Sequence, residues 1–427
     1  MRLKTNRRLI LLGASVAVLA AGAFALYFVR NWQKDRMTDA FFAKGQAAFK
    51  VRHYYDAMIN AAQFINRVKS HPAKRAEPRY ADALLTYAES RRLIEENDDR
   101  NIREAIPFYQ QYRDLRPDDA KTRFTLLKAL NEVGLSVEAR DLALRDLPKG
   151  SDQKLAPTRI TADRAPTLRE LALAQRRLVK GDAVDPELNK SLDALLALNP
   201  LDVYANLIRM EVLSNSGQRA QVRALADALR ADHPEDPAAL LIAAYSREIS
   251  LDGGPPTSED NVQHHELLCR AAGLDPKSAA RVQPVTYSDE LFVLQLVNAF
   301  DRSRAFDFSL AVLRDAADRV KSSSIERLLV RRLWQEGDNE AVLARTAALD
   351  PANLDSQAEL LGFRALCLLS AKHADQAAAI AKALSAREGD FRAGGWGAAI
   401  PLMDPATQPK PAAAVSAWKA IVDPRNN

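Results

Sequence analysis

The sequence predicts an all-α protein in which one N-terminal membrane-spanning helix precedes a long array of paired helices. Residues 9–29 form an uninterrupted run of apolar or small residues. Downstream of this run, helix-forming patterns recur at a regular interval along most of the chain. The chain has only 16 Gly in 427 residues and few β-branched runs with a period of two. This composition favours packed helices over strands or disorder.

The apolar run at 9–29 is long enough to anchor the chain in a membrane. A helix rises about 1.5 Å per residue, so the run spans a bilayer core of about 30 Å. A secretory signal peptide cleaved after Ala25 is the alternative, because Ala23, Phe24 and Ala25 match a small-x-small cleavage site. The stretch stays apolar as far as Val29, which favours an uncleaved anchor.

The charges that flank the anchor predict its orientation. The tail at 1–8 contains Arg2, Lys4, Arg7 and Arg8, whereas the basic residues of 30–44 are more dilute. The denser positive end prefers the cytoplasm, so the C-terminal body is expected to be periplasmic or extracytoplasmic. This predicts a single-pass protein of a bacterial cytoplasmic (inner) membrane. Small residues spaced by four would also allow a homodimer through the membrane helix; they are Gly13, Ala17, Ala21 and Ala25.

Charge and cysteine content exclude two classes of function. The net charge of +5 comes from 60 basic and 55 acidic residues, and four of the basic residues lie in the tail. The body is therefore nearly neutral, and it lacks a basic run interleaved with aromatics, so no nucleic acid is expected as a partner. Cys269 and Cys367 lie in apolar helical segments about three repeats apart. That separation predicts two buried free thiols and no disulfide.

The repeat is clearest in the unit that begins at Ala120. Apolar residues at 126, 127 and 130 precede Gly134 and Ala139, and Ala105 precedes Ala139 by one repeat interval. The same interval separates Pro200 from Pro234. This pattern resembles the tetratricopeptide repeat (TPR), and the chain is similar to membrane-anchored bacterial TPR proteins. The resemblance implies two antiparallel helices per repeat. It places four small residues at tight helix crossings: Gly45, Ala57, Ala105 and Ala139.

The predicted fold is therefore a TPR-type helical-hairpin solenoid behind one transmembrane helix. Its expected divisions are a basic cytoplasmic tail (1–8), the anchor (9–29), N-terminal TPR units (30–148), a linker (149–167), C-terminal TPR-like units (168–390) and a Gly/Pro-rich segment with a capping helix (391–427). The capping helix is expected at 412–422, where it would cover the apolar end of the array.

The TPR resemblance also implies where a partner would bind. In that family the first helix of each repeat lines a concave groove that takes a protein or peptide. Carried over by repeat position, the groove residues are Phe42, Gln46, Phe49, Lys121, Phe124, Lys128, Asn131, Tyr204, Leu207 and Glu211. Lys121, Lys128 and Asn131 are also suggestive of a clamp for a C-terminal carboxylate. The matching Asn of the preceding unit is not evident.

No catalytic residue, cofactor site or metal site is predicted. His264 and His265 are adjacent, so on a helix they point about 100° apart and cannot reach one metal from one face. We interpret His264, His265 and Glu266 as a solvated helix start. Gly394, Gly395 and Gly397 are not preceded by a strand, which argues against a phosphate loop.

These features predict a non-catalytic, membrane-anchored scaffold that mediates protein–protein interactions at the periplasmic face of the cytoplasmic membrane. One alternative is an accessory subunit of cell-surface polysaccharide synthesis or export, since membrane-anchored TPR proteins of that kind exist. An enzyme with a divergent site is a further alternative.

Overall fold

The computed structural model describes residues 29–403 apart from six short gaps and two single residues. These are 31, 95–98, 151–154, 180–184, 250–254, 288, 352–356 and 388–390. The predicted anchor at 9–29 and the predicted capping helix at 412–422 lie outside the described residues, except for Val29. Within the described ranges, no helix combines the length and the apolar character needed to cross a membrane.

The described residues are predominantly helical, and their only extended pairings are two isolated bridges, Lys149 with Leu155 and Leu274 with Arg281. The all-α prediction is confirmed for this part of the chain. The chain divides into two compact units, one containing residues up to Ala120 and the other most residues from Lys121 onward.

The first unit contains two long antiparallel helix pairs. Helix α1 covers 32–50 and is paired with α2 (Tyr54–Val68). After the short helix α3 (Pro72–Arg75), α4 (Pro78–Leu93) is paired with α5 (Arg100–Leu115), and α2 also packs against α4. The core where α2 and α4 meet consists of Phe64, Ile65, Val68, Tyr80, Ala81, Ala83 and Leu84, with Tyr112 of α5.

The second unit continues the same plan through further helix pairs. These are α6 (Ala120–Glu132) with α7 (Ser136–Asp146), α8 (Ala165–Leu178) with α9 (Pro186–Leu198), α10 (Val203–Asn215) with α11 (Arg219–Asp232), α12 (Pro237–Arg247) with α13 (Ser258–Ala272), α14 (Glu290–Arg302) with α15 (Phe306–Arg319), α16 (Ser323–Gln335) with α17 (Asn339–Thr346), and α18 (Ala358–Ser370) with α19 (Ala374–Ser385). A final helix, α20 (Phe391–Met403), follows. First helices of neighbouring pairs contact each other: α8 contacts α10, α10 contacts α12, and α12 contacts α14.

The same turn joins the helices of six described pairs. Each turn has one residue with positive φ, and the next residue donates its N–H to a carbonyl five positions back, at 2.8–2.9 Å. This is the hydrogen bond of a Schellman motif, which satisfies a carbonyl at the end of the first helix. The positive-φ residues are Arg52, Gly134, Gly217, Arg304, Gly337 and Lys372. The repeat is thus visible in the backbone, including three turns where the sequence lacks glycine.

The predicted small residues lie at the helix crossings. Ala57, Ala105 and Ala139 are fully buried. A Cβ added to Gly45 would lie 3.3 Å from the backbone nitrogen of Ala61 and 3.5 Å from the carbonyl oxygen of Ala57. α1 therefore lies against the backbone of α2, and a side chain at Gly45 would require neighbouring atoms to shift by a few tenths of an ångström. This confirms the register in which the repeat was assigned.

Two segments that depart from the repeat pattern lie in the second unit, where the structure describes residues 149–150, 155–167 and 255–261 of them. Residues 149–167, predicted as a linker, contain the buried side chains of Leu155 and Ile160 and two 3₁₀ turns, Pro157–Arg159 and Ala162–Arg164. The long connection predicted around 251–261 separates α12 from α13. There, Thr257 and Asp260 form a capping box that starts α13.

Within the predicted Gly/Pro-rich segment, residues 391–403 form the helix α20. The side chain of Trp396 in α20 is 2% exposed. Its ring packs edge-on against that of Phe363, with 5.5 Å between the ring centroids. A Cβ at Gly362 would overlap the indole of Trp396, and one at Gly397 would lie 2.7 Å from the backbone nitrogen of Ser385. Gly362 leaves room for the Trp396 indole, and Gly397 lets α20 lie against the backbone of α19. This close packing outweighs the low helix propensity of glycine.

Candidate partner-binding surface

In the first unit, the predicted groove residues of α1 are half-buried and engaged with neighbouring helices. The ring of Phe42 lies 5.2 Å from that of Phe64. Gln46 donates its amide to the hydroxyl of Thr86 on α4 at 2.7 Å. Phe49 lies 5.9 Å from Tyr54, the first residue of α2. These three residues therefore help to hold α1 against α2 and α4.

In the second unit, three predicted residues of α6 remain available on one helix face. Lys121, Phe124 and Lys128 are three and four positions apart, so they follow one stripe of the helix. Both lysines are exposed, and neither forms an ion pair with another described residue. Phe124, which lies between them in the sequence, is half-buried. This stripe offers two cations around an aromatic ring.

Asn131, the fourth predicted residue of α6, is used inside the protein. It is 2% exposed, and its Nδ2 donates to the carboxylate of Glu170 at 2.7 Å and to the backbone carbonyl of Glu170 at 2.9 Å. The backbone carbonyl of Asn131 also accepts a hydrogen bond from Arg177. The amide of Asn131 is therefore committed to α8. The suggested carboxylate clamp of Lys121, Lys128 and Asn131 lacks its amide donor.

The predicted residues of α10 are likewise in contact with neighbouring helices. Glu211 is half exposed and forms an ion pair with Arg176 of α8. Leu207 packs on the main apolar cluster of the second unit. The hydroxyl of Tyr204 is buried without a hydrogen-bond partner, and burial, strengthened by nearby Glu170, raises the pKa of Tyr204. This tyrosine therefore stays protonated over the physiological range.

The links between first helices continue along the second unit. Tyr245 of α12 donates its hydroxyl to the side chain of Gln295 on α14 at 3.0 Å. Arg332 of α16 pairs with Asp301 of α14 at 2.6 Å. Arg331 of α16 also pairs with Glu359 of α18. Many of the polar groups on these helices are therefore used for contacts between repeats.

Three buried polar atoms on consecutive first helices have no hydrogen-bond partner among the described residues. They are Oδ1 of Asn131 on α6, Oε1 of Gln175 on α8 and the hydroxyl of Tyr204 on α10. Asn131 contacts Glu170, and Glu170 acts electrostatically on Tyr204, so Asn131 and Tyr204 both lie near this carboxylate. A buried polar group without a partner costs about 1–3 kcal/mol. Two acceptors and one hydroxyl are thus left for a donor from outside the described residues.

A cavity of about 250 Å³ lies where three first helices begin. Asp202, Asp236 and Asp289 line it, and each accepts backbone N–H groups of its own helix at 2.8–3.3 Å. Asp202 is also paired with Arg169 at 2.7 Å. These carboxylates cap helices, which explains their position without a ligand.

The interpretation of His264, His265 and Glu266 as a solvated helix start was wrong for the two histidines and for the position in the helix, while Glu266 is exposed. α13 begins six residues earlier, at Ser258, so His264 falls on the face that packs against α12. It is 5% exposed, with Nδ1 2.9 Å from the carbonyl oxygen of Ala244 and Nε2 3.2 Å from the hydroxyl of Ser303. The ring of His265 meets Phe308 edge-on at 4.7 Å. Both histidines therefore serve packing.

The two cysteines are buried and free, as predicted. Burial raises the pKa of Cys269 to about 12 and that of Cys367 to about 11. Neither is a thiolate near neutral pH, so neither is poised as a nucleophile. Across the described ranges, no three His, Cys, Asp or Glu side chains are grouped as ligands for a metal ion.

Sequence reasoning missed the residues of α8 that complete this surface, namely Glu170, Arg176 and Arg177. The repeat pattern is unclear between residues 149 and 186, so the face of α8 was not assigned. The spacing of the buried residues of α8 would have indicated it; they include Leu168, Leu171, Ala172 and Gln175.

The chain matches no protein-family model and no curated protein. Among solved structures, it is similar to the APC/C hetero-tetramer Cut9–Hcn1, with 11% sequence identity over 90% of this chain and 86% of that chain and a TM-score of 0.27. It is also similar to yeast Tom70, with 13% identity over 91% of this chain and 92% of that chain and a TM-score of 0.22. The helical-repeat fold is evident from the recurring helix pairs and turns of the described residues.

Proposed function

We propose that the protein is a non-catalytic scaffold that binds a segment of a partner protein on the first helices of its repeats. The observation that carries this proposal is the stripe of Lys121, Phe124 and Lys128 on α6. These side chains stay accessible, whereas the neighbouring Asn131 is used between repeats. A helical-repeat surface with free cations around an aromatic ring suits an extended or helical peptide.

The chemistry of the stripe defines the preferred segment. Two exposed lysines seven residues apart lie about 10 Å apart along a helix. They favour a partner segment with acidic side chains, and the half-buried ring of Phe124 favours an apolar side chain between them.

The proposal places this scaffold at a membrane. Residues 9–29 would hold it in the bilayer, with the tail at 1–8 in the cytoplasm and the helical repeats in the periplasm of a bacterial cell. The small-residue stripe of the anchor would allow two copies to associate. The supporting observations are the length of the apolar run and the basic tail.

Partner binding is tested by crosslinking the full-length protein in cells, with a photoreactive residue at Phe124, followed by mass spectrometry. A Lys121→Glu/Lys128→Glu variant is expected to lose the crosslinked partner, because both cations become repulsive to an acidic segment. Arg145→Glu is the matched control, because Arg145 is exposed on α7, the second helix of the same pair. A partner captured equally by both variants would remove the α6 stripe from the proposed surface.

Topology is tested by fusing alkaline phosphatase to the C-terminus. We expect an active fusion that stays in the membrane fraction after alkaline carbonate washing. Activity in the soluble fraction would mean that the segment is cleaved after Ala25, and an inactive membrane-bound fusion would reverse the orientation.

A further inference from the structure

The end of the first unit next to the start of α1 carries a concentrated positive charge. It is formed by residues 29–37 and 66–79 and is called here the basic end. Together with Asp39, these residues include eight Lys or Arg and three Asp or Glu, a net charge of +5. The whole chain of 427 residues also has a net charge of only +5. Positive charge outside the N-terminal tail is therefore focused at this place.

Two ion pairs show that these separate parts of the sequence lie side by side. Lys74 of α3 contacts Asp35 of α1 at 2.5 Å. Arg79 of α4 contacts Asp39 of α1 at 3.0 Å. The antiparallel course of α2 brings the chain back to the N-terminal turns of α1, and α3 follows there. The basic residues of 66–79 thereby join those of α1.

The three carboxylates leave most of these basic side chains without an acidic partner in the part of the chain that the structure describes. Arg36 lies 5.5 Å above the ring of Trp32, and Arg75 lies 6.0 Å from the ring of Tyr80. Lys69 contacts the amide oxygen of Asn66, at 3.0 Å. Arg36, Lys69 and Arg75 are all exposed. They can therefore meet an anionic surface while keeping their present contacts.

Exposed apolar side chains accompany the charges. Trp32 is 58% exposed, Val29 is 50% exposed and Met37 is 49% exposed. Tryptophan with nearby arginine is typical of a segment at the membrane–water interface. The core of the first unit does not use these side chains, so an interface with lipid would bury them without rearrangement.

We propose that the basic end binds the anionic headgroups of a phospholipid bilayer and so holds the first unit against the membrane surface. This inference rests on the proposed anchor at 9–29, which would place Val29 at the edge of the bilayer. Asp35 of α1 would then lie about 9 Å from Val29 along the helix, with its partner Lys74 of α3 beside it. That distance is close to the Debye length of about 8 Å at physiological ionic strength, so the basic side chains are near enough to interact with lipid headgroups.

The test uses the full-length protein in nanodiscs of phosphatidylcholine alone and of phosphatidylcholine mixed with phosphatidylglycerol. Hydrogen–deuterium exchange of the peptide covering 66–79 is the readout. We expect exchange there to be at least about fivefold slower in the anionic discs, the effect of one basic residue near such a surface. High salt should abolish the difference.

Lys69→Glu/Arg75→Glu is expected to remove the slowing, because it reverses two exposed charges. Lys50→Glu is the matched control, because Lys50 is exposed at the other end of α1, roughly 27 Å away. It should leave the slowing intact. A neutral pair, Lys69→Gln/Arg75→Gln, gives the same test if the charge reversal disturbs folding.

Equal exchange in both kinds of disc would overturn the inference while leaving the anchor and partner binding untouched. Failure of the protein to enter either disc would instead contradict the anchor of the proposed function. If RNA or heparin in solution slowed exchange at 66–79 and anionic discs did not, the basic end would serve another polyanion and the lipid proposal would fail.

Discussion

Asn131 on α6 and Glu170 on α8 are joined by a hydrogen bond of 2.7 Å, although they lie on different repeats. The donor position was predicted from the repeat register as a groove residue. The bond shows that such a position can be used to hold one repeat to the next. Partner-binding capacity therefore depends on which groove positions remain unused.

The first prediction concerns this bond. Asn131→Ala removes the donor and leaves the Glu170 side chain without it, so the free energy of unfolding should fall by about 1–3 kcal/mol. Lys128→Ala, one turn earlier and exposed, is the control and should change it by less than about 0.5 kcal/mol. Urea unfolding followed by circular dichroism measures both. Equal stability of the two variants would contradict a structural role for Asn131.

The second prediction concerns the crossing of α6 and α7. Ala139 is fully buried, so Ala139→Leu should overpack the crossing and lower the free energy of unfolding by about 1–3 kcal/mol. Val137→Leu is the matched control, because Val137 lies two residues earlier on α7 and is 47% exposed. Unchanged thermal stability of Ala139→Leu would contradict the assigned register.

The third prediction concerns the recurring turn. Gly134 has φ +79° and Lys372 has φ +64°, and both occupy the same place in their hairpins. A side chain in this conformation costs roughly 1–2 kcal/mol, so Gly134→Ala should destabilise the protein although no atom lies within 4 Å of the added Cβ. Lys372→Gly should be neutral or stabilising. If thermal unfolding showed that Gly134→Ala stabilises the protein and Lys372→Gly destabilises it, the φ of these residues would not control the turn.

The repeat was predictable because its signal is local. Ala105 and Ala139 recur at the repeat interval, and the TPR resemblance implied from this register that both are buried at helix crossings. The partner of Asn131 could not be predicted, because the α8 register is obscured by residues 149–167. His264 was misread for a related reason, and the burial of Trp396 was not predicted. Their burial depends on which distant helix approaches, and no local pattern encodes that.

The fourth prediction is a pH dependence at the start of α13. Burial raises the pKa of Asp260, but hydrogen bonds from Thr257 and the 2.6 Å ion pair with Arg223 outweigh this and lower it below its usual 3.8. A depressed pKa in the folded state contributes stability above the unfolded pKa, and this is lost as pH falls. Asp260→Asn should therefore lower stability at pH 7 by about 1–3 kcal/mol.

The acid side of that prediction separates it from simple damage to the helix cap. Below about pH 4 the wild-type carboxylate begins to be protonated, so the difference between wild type and Asp260→Asn should shrink. Glu259→Gln, an exposed neighbour on the same turn, should leave the pH profile unchanged. Denaturant midpoints measured from pH 7 to pH 3 give both profiles. A constant difference across that range would show that charge at Asp260 does not contribute.

The last prediction distinguishes packing from partner binding at two aromatic groove positions. Phe42 is half-buried and lies 5.2 Å from Phe64, whereas the ring of Phe124 contacts no other aromatic ring among the described residues. Phe42→Ala should lower the free energy of unfolding by about 2 kcal/mol, less than the 3–5 kcal/mol of a fully buried Phe. Phe124→Ala should cost less stability and weaken capture of the partner crosslinked through a photoreactive residue at Lys121, one turn earlier on α6.

Each variant is measured by denaturant unfolding and by capture in cells, with Phe49→Ala as a comparison because Phe49 is half-buried beside Tyr54. Because Phe124 would touch the partner and Phe42 would act through its helix, only Phe124→Ala should reduce capture at temperatures where both variants stay folded. A Phe124→Ala variant that remains folded and captures the partner at the wild-type level would place the binding surface away from α6.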